Sequence, residues 1–448
     1  MNIIQEGNGL TQVLKIQVSA ADYADKVEAT LKDYRKKAKF DGFRPGTVPM
    51  GIVKKMYGKY VLVEEVNKLL SDALSNHIAE NKLPVLGEPL PNMEQQQSIN
   101  WDTDTEFEFC FDIAIAPEVS VELSKKNKFD YYKIVADDAI IQEQIDHLTA
   151  RFGSQQSVDT IEGTELVRGN FTQVGVENPY KREGGTLLLS KVATESELQV
   201  FKNAKIGDTV EFNPKKAFEN DTELSSMLAA DKDQTDVLYA DYQFEITEIL
   251  RFAKSDVDQS LFDKAFGEGV VSSEAEFKDK IRADFEERVG PNSDYKLLLD
   301  IKKKLVESAK FDLPEEFLKR WLLESNKDND KVTPEQIETE FPLFLEDLRW
   351  QLISGKIIKD NGIQITEEDI RNGAKEYTRM QFAQFGMMNP SDEDLEHWSK
   401  EIIKNRDQVN RIVESEQDKK LIAYFKEVVK LNEVEKTIEQ FNAMFEKN

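Results

Sequence analysis

The stretch Phe40-Asp41-Gly42-Phe43-Arg44-Pro45-Gly46-Thr47-Val48-Pro49 organises the reading of this chain. Gly42 and Gly46 open backbone conformations that other residues avoid, while Pro45 and Pro49 stiffen the chain. The segment therefore reads as a defined, exposed loop with Phe43 and Arg44 at its tip. The pattern on both sides is helical. Tyr23, Val27, Leu31 and Tyr34 recur at three to four residues before the loop; Ile52, Val53, Met56, Val61, Val66, Leu69, Leu70, Leu74 and Ile78 follow it, ending before Pro84.

Outside this helix pair lie two strand patterns. Leu14, Ile16 and Val18 alternate, and Phe107, Phe109, Phe111, Ile113 and Ile115 alternate with Glu106, Glu108, Cys110, Asp112 and Ala114. The second predicts a half-buried strand with its polar side in water. Pro117 closes the unit, so residues 1–117 are expected to form an α/β domain.

The loop is also the electrical exception of the chain. Lys32, Arg35, Lys36, Lys37, Lys39, Arg44, Lys54, Lys55 and Lys59 face only Asp33 and Asp41 between positions 32 and 59, a local balance of +7 inside a net charge of -26. Such a patch suits phosphate backbones or acidic protein surfaces. Taken from the residues alone, a binding site and a solvated helix pair joined by a structural turn stand level.

Further along, residues 118–152 read as an extended connector followed by a helix near Asp137–Phe152. From 153 to 252 short strands and turns are punctuated by Gly163, Gly169, Gly175, Gly184-Gly185 and Gly207. Leu238, Ala240, Tyr242, Phe244 and Ile246 alternate at the end, which predicts a small, mostly β domain. Residues 253–448 are helical in pattern, with short breaks expected at Gly290-Pro291, Asn326–Thr333 and Asn389-Pro390. Ser272-Ser273-Glu274 and Thr366-Glu367-Glu368 have the chemistry of helix starts. The fold class expected is multidomain α+β.

Composition narrows the chemistry. At 448 residues the chain exceeds a single core, and 32% charged residues suit an extended, surface-rich molecule. The one cysteine, Cys110, has no partner for an internal disulfide, and His77, His147 and His397 are too scattered for a metal set. Gly267-Glu268-Gly269 lacks the remainder of a phosphate-binding loop, so no nucleotide, metal or other cofactor is expected. No signal-peptide or membrane-spanning pattern is evident, which gives a cytoplasmic expectation with no membrane partner.

Asp41–Pro49, with Met50-Gly51-Ile52-Val53 and Tyr57-Gly58 after it, closely resembles the ribosome-docking signature of trigger factors. Leu261-Phe262-Asp263-Lys264-Ala265-Phe266-Gly267 and Phe311-Asp312-Leu313-Pro314 are similar to two further stretches of that family. The resemblance implies a ribosome-docking domain, an FKBP-like prolyl isomerase domain and an elongated helical client-binding domain with two arms. It implies docking on a tunnel-exit protein and adjacent rRNA through Gly42, Phe43, Arg44, Pro45 and Gly46. Because Pro45 and Thr47 stand where relatives often carry lysine, Lys36, Lys37, Lys39, Lys54 and Lys55 are expected to support the contact. A weak homodimer off the ribosome is also implied.

Isomerases of this kind lower a barrier of about 18–20 kcal/mol by holding the twisted imide in an apolar, aromatic-lined pocket. The Pro-Gly-Phe-Glu motif expected ahead of Ile206-Gly207-Asp208 is replaced by Thr194-Glu195-Ser196-Glu197-Leu198, and Asn170-Phe171 stands at the family's Asp-Phe pair. Phe171, Tyr242 and Phe244 are read as a remnant pocket, core packing being the competing reading, and isomerase activity is expected to be weak or absent. Met380, Phe382, Phe385, Met387 and Met388 are the expected contacts for unfolded nascent polypeptides, since large, soft side chains adapt to varied sequences. Phe341, Leu343, Phe344, Leu345, Leu348 and Trp350 are expected to pack between helices. An active prolyl isomerase and an RNA-binding interaction protein are the alternatives.

Overall fold

The computed structural model describes residues 1–37, 43, 46–329, 331–387 and 389–446. Lys39, Gly42, Arg44, Pro45 and Met388 lie outside the described residues. The chain divides into two units, residues 1–131 with 294–433 and residues 132–293 with 434–448.

In the first unit, Asn2–Glu6, Thr11–Val18, Phe107–Ala114 and Leu90–Pro91 form an antiparallel sheet in that order, with Leu14 opposite Phe111 and Ile16 opposite Phe109. The helices Ala20–Lys37 and Met50–Glu80 cover one face, where Ile16, Val18, Tyr23, Val66, Leu69, Leu70 and Phe107 make the core. The other face is covered too. Leu86, Leu90 and Ala114 pack with Leu313, Phe317, Leu318 and Leu345, the last four from the C-terminal part of the chain. The strand Phe107–Ala114 is therefore buried on both sides rather than half-buried. Cys110, Asp112 and Ala114, on the side expected to be wet, are buried, and Ala114 joins a second apolar layer that period-two alternation does not reveal.

The helices Glu315–Ser325, Pro334–Asp360, Glu367–Gln384, Asp392–Ile403 and Arg406–Val428 complete this unit. Thr333 and Thr366 head two of them in reciprocal capping boxes with Gln336 and Asp369. Leu343, expected to pack, is 64% exposed, whereas Phe341, Phe344, Leu345 and Leu348 join the apolar layer beneath the sheet.

Residues 118–135 are more than a connector. Val119, Val121 and Leu123 pack against the helical core, and Lys128–Ile134 pairs with Lys430–Lys436, so the helical C-terminal part also holds one strand. The Gly290-Pro291 break does not occur. Glu274–Ser308 runs through Pro291 as one helix, its apolar residues buried on both sides of the proline.

The second unit holds a sheet in which Tyr242–Ala253 is central, pairing with Ser154–Ser157, Leu166–Gln173 and Thr209–Phe212, while Lys181–Leu188 pairs with Leu166–Gln173. The central strand starts at Tyr242; Leu238 belongs to a short helix, Thr235–Leu238, and the alternation seen in sequence runs across the boundary. Beside this domain the helix Asp138–Arg151, capped by Asp137, packs with Gln259–Phe266 and the start of Glu274–Ser308 around Ile141, Ile145, Leu261, Phe262 and Phe277.

Candidate docking loop and client-binding surfaces

Two anchors, one of them buried, hold the described part of the loop between the first two helices. Val48 is fully buried among Leu31, Val53 and Val61, and Gly46, at φ +85°, donates its N–H to the carbonyl of Arg35 at 3.1 Å. The positive φ is a conformation that suits glycine, so the chain turns here while satisfying a carbonyl at the end of the preceding helix. Tyr34 and Tyr57 pack ring against ring with centroids 5.3 Å apart, tying the helix pair beside the loop. With its base packed, Phe43 is left 41% exposed.

Among the supporting cations, Lys36 pairs with Asp33 at 3.0 Å, whereas Lys37, Lys54 and Lys55 are exposed without an ion pair among the described residues. An unneutralised cluster of this kind carries a positive field into solvent that a distant anionic or acidic surface feels.

The three C-terminal helices Glu367–Gln384, Asp392–Ile403 and Arg406–Val428 pack around a small core of Ala374, Ile402 and Ile412. Gly373 permits the close crossing, because a Cβ there would stand 2.7 Å from Cγ2 of Ile412. So small a core leaves large apolar side chains unused. Met380 is 61% exposed, Phe385 81%, Met387 51% and Trp398 52%. Phe382, Phe385, Met387, Trp398 and Ile402 line a groove of about 470 Å³ whose edges carry Gln381, Asn405 and Gln408. Met380 and Tyr377 line a second groove of about 370 Å³.

The structure thus brings Phe382, Phe385 and Met387 into one groove and puts Met380 in the next. Trp398 and Ile402 also line the first groove, and the sequence reading missed them. Their signal was present as Leu395, Trp398 and Ile402 at helical spacing, but it sits inside a strongly charged run.

In the sheet domain of the second unit, Phe171, Tyr242 and Phe244 are at most 1% exposed. Phe171 and Phe244 lie with ring centroids 4.5 Å apart, and Tyr242 meets Phe171 edge-on at 5.9 Å. The Tyr242 hydroxyl donates to the carbonyl of Val237 at 2.9 Å, and burial pushes its pKa well above the usual phenol range. Leu224, Met227 and Leu228, from the helix Asp221–Leu228, join the same core. A neighbouring cavity of about 310 Å³ is lined by Arg182, Lys191, Phe218, Glu223 and Met227, and by none of these three aromatics. The reading of Phe171, Tyr242 and Phe244 as pocket lining is thereby corrected: they are core side chains, enclosed by a helix the sequence pattern did not place there.

Three family models match consecutive parts of the chain. The bacterial trigger factor protein model matches residues 1–148, the FKBP-like domain of probable trigger factor residues 155–254, and its C-terminal domain residues 293–445. The chain belongs to the trigger-factor family. Members are ribosome-associated chaperones with an FKBP-like domain.

Among curated relatives, the trigger factor of Agrobacterium fabrum is 26% identical over 394 residues, covering 83% of this chain and 77% of its own. That of Bartonella henselae is 25% identical, covering 81% and 78%. A solved trigger factor chaperone, described for promiscuous substrate recognition in folding and assembly, aligns over 95% of this chain and 99% of its own. Its TM-score is 0.57 at 14% identity, a likeness of fold. Trigger-factor membership also fits the order of the elements, with the helix pair and its loop first, the FKBP-like sheet second and the grooved helices last. Among the described residues, no helix is long and apolar enough to cross a membrane.

Proposed function

We propose that this chain is a cytoplasmic, ATP-independent chaperone that docks at the ribosomal tunnel exit through the 42–46 loop and shields nascent polypeptides on the grooved C-terminal helices. The exposure of Met380, Phe385, Met387 and Trp398 on one small helical bundle carries the reading. A protein that keeps such side chains in water without a nucleotide cycle gains by covering them with a partner of variable sequence. Gln381, Asn405 and Gln408 offer donors and acceptors to the backbone of an extended client. The functional division proposed is 1–117 for docking, 118–152 for the linker, 153–252 for the FKBP-like domain and 253–448 for client binding.

At the docking end, Phe43, Arg44 and the cations Lys36, Lys37, Lys39, Lys54 and Lys55 are assigned to a tunnel-exit protein and adjacent rRNA. Off the ribosome a weak homodimer is proposed. The FKBP-like domain is assigned weak or no isomerase activity, because Phe171, Tyr242 and Phe244 are enclosed.

Three measurements test these assignments. Phe43→Ala/Arg44→Ala is expected to pellet with ribosomes much less than the unaltered chain, and equal pelleting would refute the docking assignment. Phe385→Ser/Trp398→Ser is expected to suppress the aggregation of an unfolded protein less well at equal concentration. Cis/trans conversion of a Phe-Pro peptide at a rate typical of active FKBP domains would overturn the last assignment.

A further inference from the structure

The strand Lys181–Leu188 is a free edge: among the described residues it pairs only with Leu166–Gln173. Leu189, just past it, donates its N–H to the Glu165 carbonyl at 3.0 Å. The register then makes Leu187 and Val167 a hydrogen-bonded pair, and Thr186 and Arg168 the non-hydrogen-bonded pair next to it. In keeping with this, the Arg168 carbonyl accepts from the Thr247 hydroxyl at 3.1 Å, on the other side of its strand. Thr186 therefore turns its N–H and its C=O away from the sheet, and its side chain is exposed. Such unpaired edge groups template the addition of another strand. Nothing crowds the neighbouring Gly184, where a Cβ would meet no atom within 4 Å.

The cavity of about 310 Å³ runs beside this edge, with Thr186 and Leu188 on the strand side, Glu223 and Met227 of the helix Asp221–Leu228 opposite, and Phe218 adding apolar surface. Arg182 lines it with a buried Nε that has no hydrogen-bond partner among the described residues. The other cation of the lining, Lys191, is neutralised by Glu223 at 2.8 Å. One uncompensated positive charge is left in the groove.

We propose that an extended polypeptide segment bearing an acidic side chain adds as a further strand along Lys181–Leu188. Its backbone pairs with Thr186, an apolar side chain enters between Leu188, Phe218 and Met227, and its carboxylate meets Arg182. Backbone pairing supplies affinity for any extended chain, while the groove and the arginine select among sequences. Proline is disfavoured in the added strand, because it has no N–H to give to the ladder. The site is separate from the core aromatics Phe171, Tyr242 and Phe244, none of which lines the groove, and it does not depend on the docking loop or the C-terminal helices.

Fluorescence anisotropy of the full-length chain with short, proline-free, valine- and threonine-rich peptides tests this. A peptide with one glutamate is expected to bind, and the same peptide with lysine in its place to bind about tenfold more weakly. Methylating alternate backbone nitrogens of the glutamate peptide removes its donors and leaves its side chains, and binding is expected to be lost. Arg182→Gln is expected to bring the glutamate and lysine peptides to equal affinity. Thr186→Pro removes the outward N–H and is expected to weaken both, with melting midpoints measured alongside. Phe385→Ser/Trp398→Ser, altered in the C-terminal groove, is expected to bind the peptide as the unaltered chain does. Loss of the peptide by that variant would move its site to the C-terminal helices and overturn the inference, leaving the client reading in place. Full affinity of the backbone-methylated peptide would refute strand addition. A requirement for proline would return the groove to the isomerase reading, and absence of binding by every peptide would equally sink the proposal.

Discussion

Arg320 Nη1 donates to Asp112 Oδ2 at 2.9 Å, joining a strand and a helix that are 208 residues apart in the chain. The other Asp112 oxygen accepts from Asn92 Nδ2 at 2.7 Å, and the residue is only 6% exposed. A carboxylate on the covered face of a sheet requires such partners, since a buried charge without them is costly. Arg320→Ala is expected to lower stability by about 1–3 kcal/mol, the smaller figure reflecting the half-exposed arginine. The midpoint of urea unfolding measures this, and adding Asp112→Asn to the same chain should recover part of the loss.

Gly87 sits at φ +75°, and a Cβ there would stand 2.9 Å from the ring of Trp321. Gly175 has a similar φ of +82° with open space around it. Alanine at Gly175 should therefore cost only the backbone strain, about 1 kcal/mol, while alanine at Gly87 should cost at least twice that by displacing the indole. A shift in Trp321 fluorescence confined to Gly87→Ala would separate the two effects.

The Asp369 carboxylate accepts from Lys420 Nζ and from the Thr366 N–H and hydroxyl, at 2.7 and 2.8 Å for the last two, and these contacts lower its pKa to about 2, the lysine first among them. A carboxyl depressed in the folded state contributes stability that is present above its unfolded pKa, about 4, and is lost as pH falls through its folded value. Helicity of the unaltered chain should thus decline between about pH 4 and pH 2. Asp369→Asn should lose that part of the acid dependence and be less stable at neutral pH.

Asp418 shows the opposite sign. Burial, then the nearby Glu414, raises its pKa, and Lys302 opposes them. An acid raised in the folded state binds its proton more tightly there, so it lowers stability once pH exceeds the unfolded value. Asp418→Asn is expected to gain stability at neutral pH, with the gain shrinking in acid. A melting series between pH 4 and 7.5 would check it.

What was legible in the sequence was local. Thr366 with Asp369, Ser273 with Glu276 and the glycines and prolines about the loop act within a few residues, so their chemistry is written where it operates. The exposed groove was half legible. Phe382, Phe385 and Met387 stood out as soft apolar residues in a polar setting, but Trp398 joins them only when two helices cross.

The sequence by itself determined the loop, the caps, the periodic core faces and, through the docking signature, the family. The tertiary structure alone decided that Phe107–Ala114 is covered on both faces, that Lys128–Ile134 pairs with Lys430–Lys436, and that Leu224, Met227 and Leu228 enclose Phe171, Tyr242 and Phe244. Periodicity records which face of an element is apolar, because that follows from spacing along one chain segment. What covers that face comes from elsewhere in the chain, and only the folded arrangement specifies it.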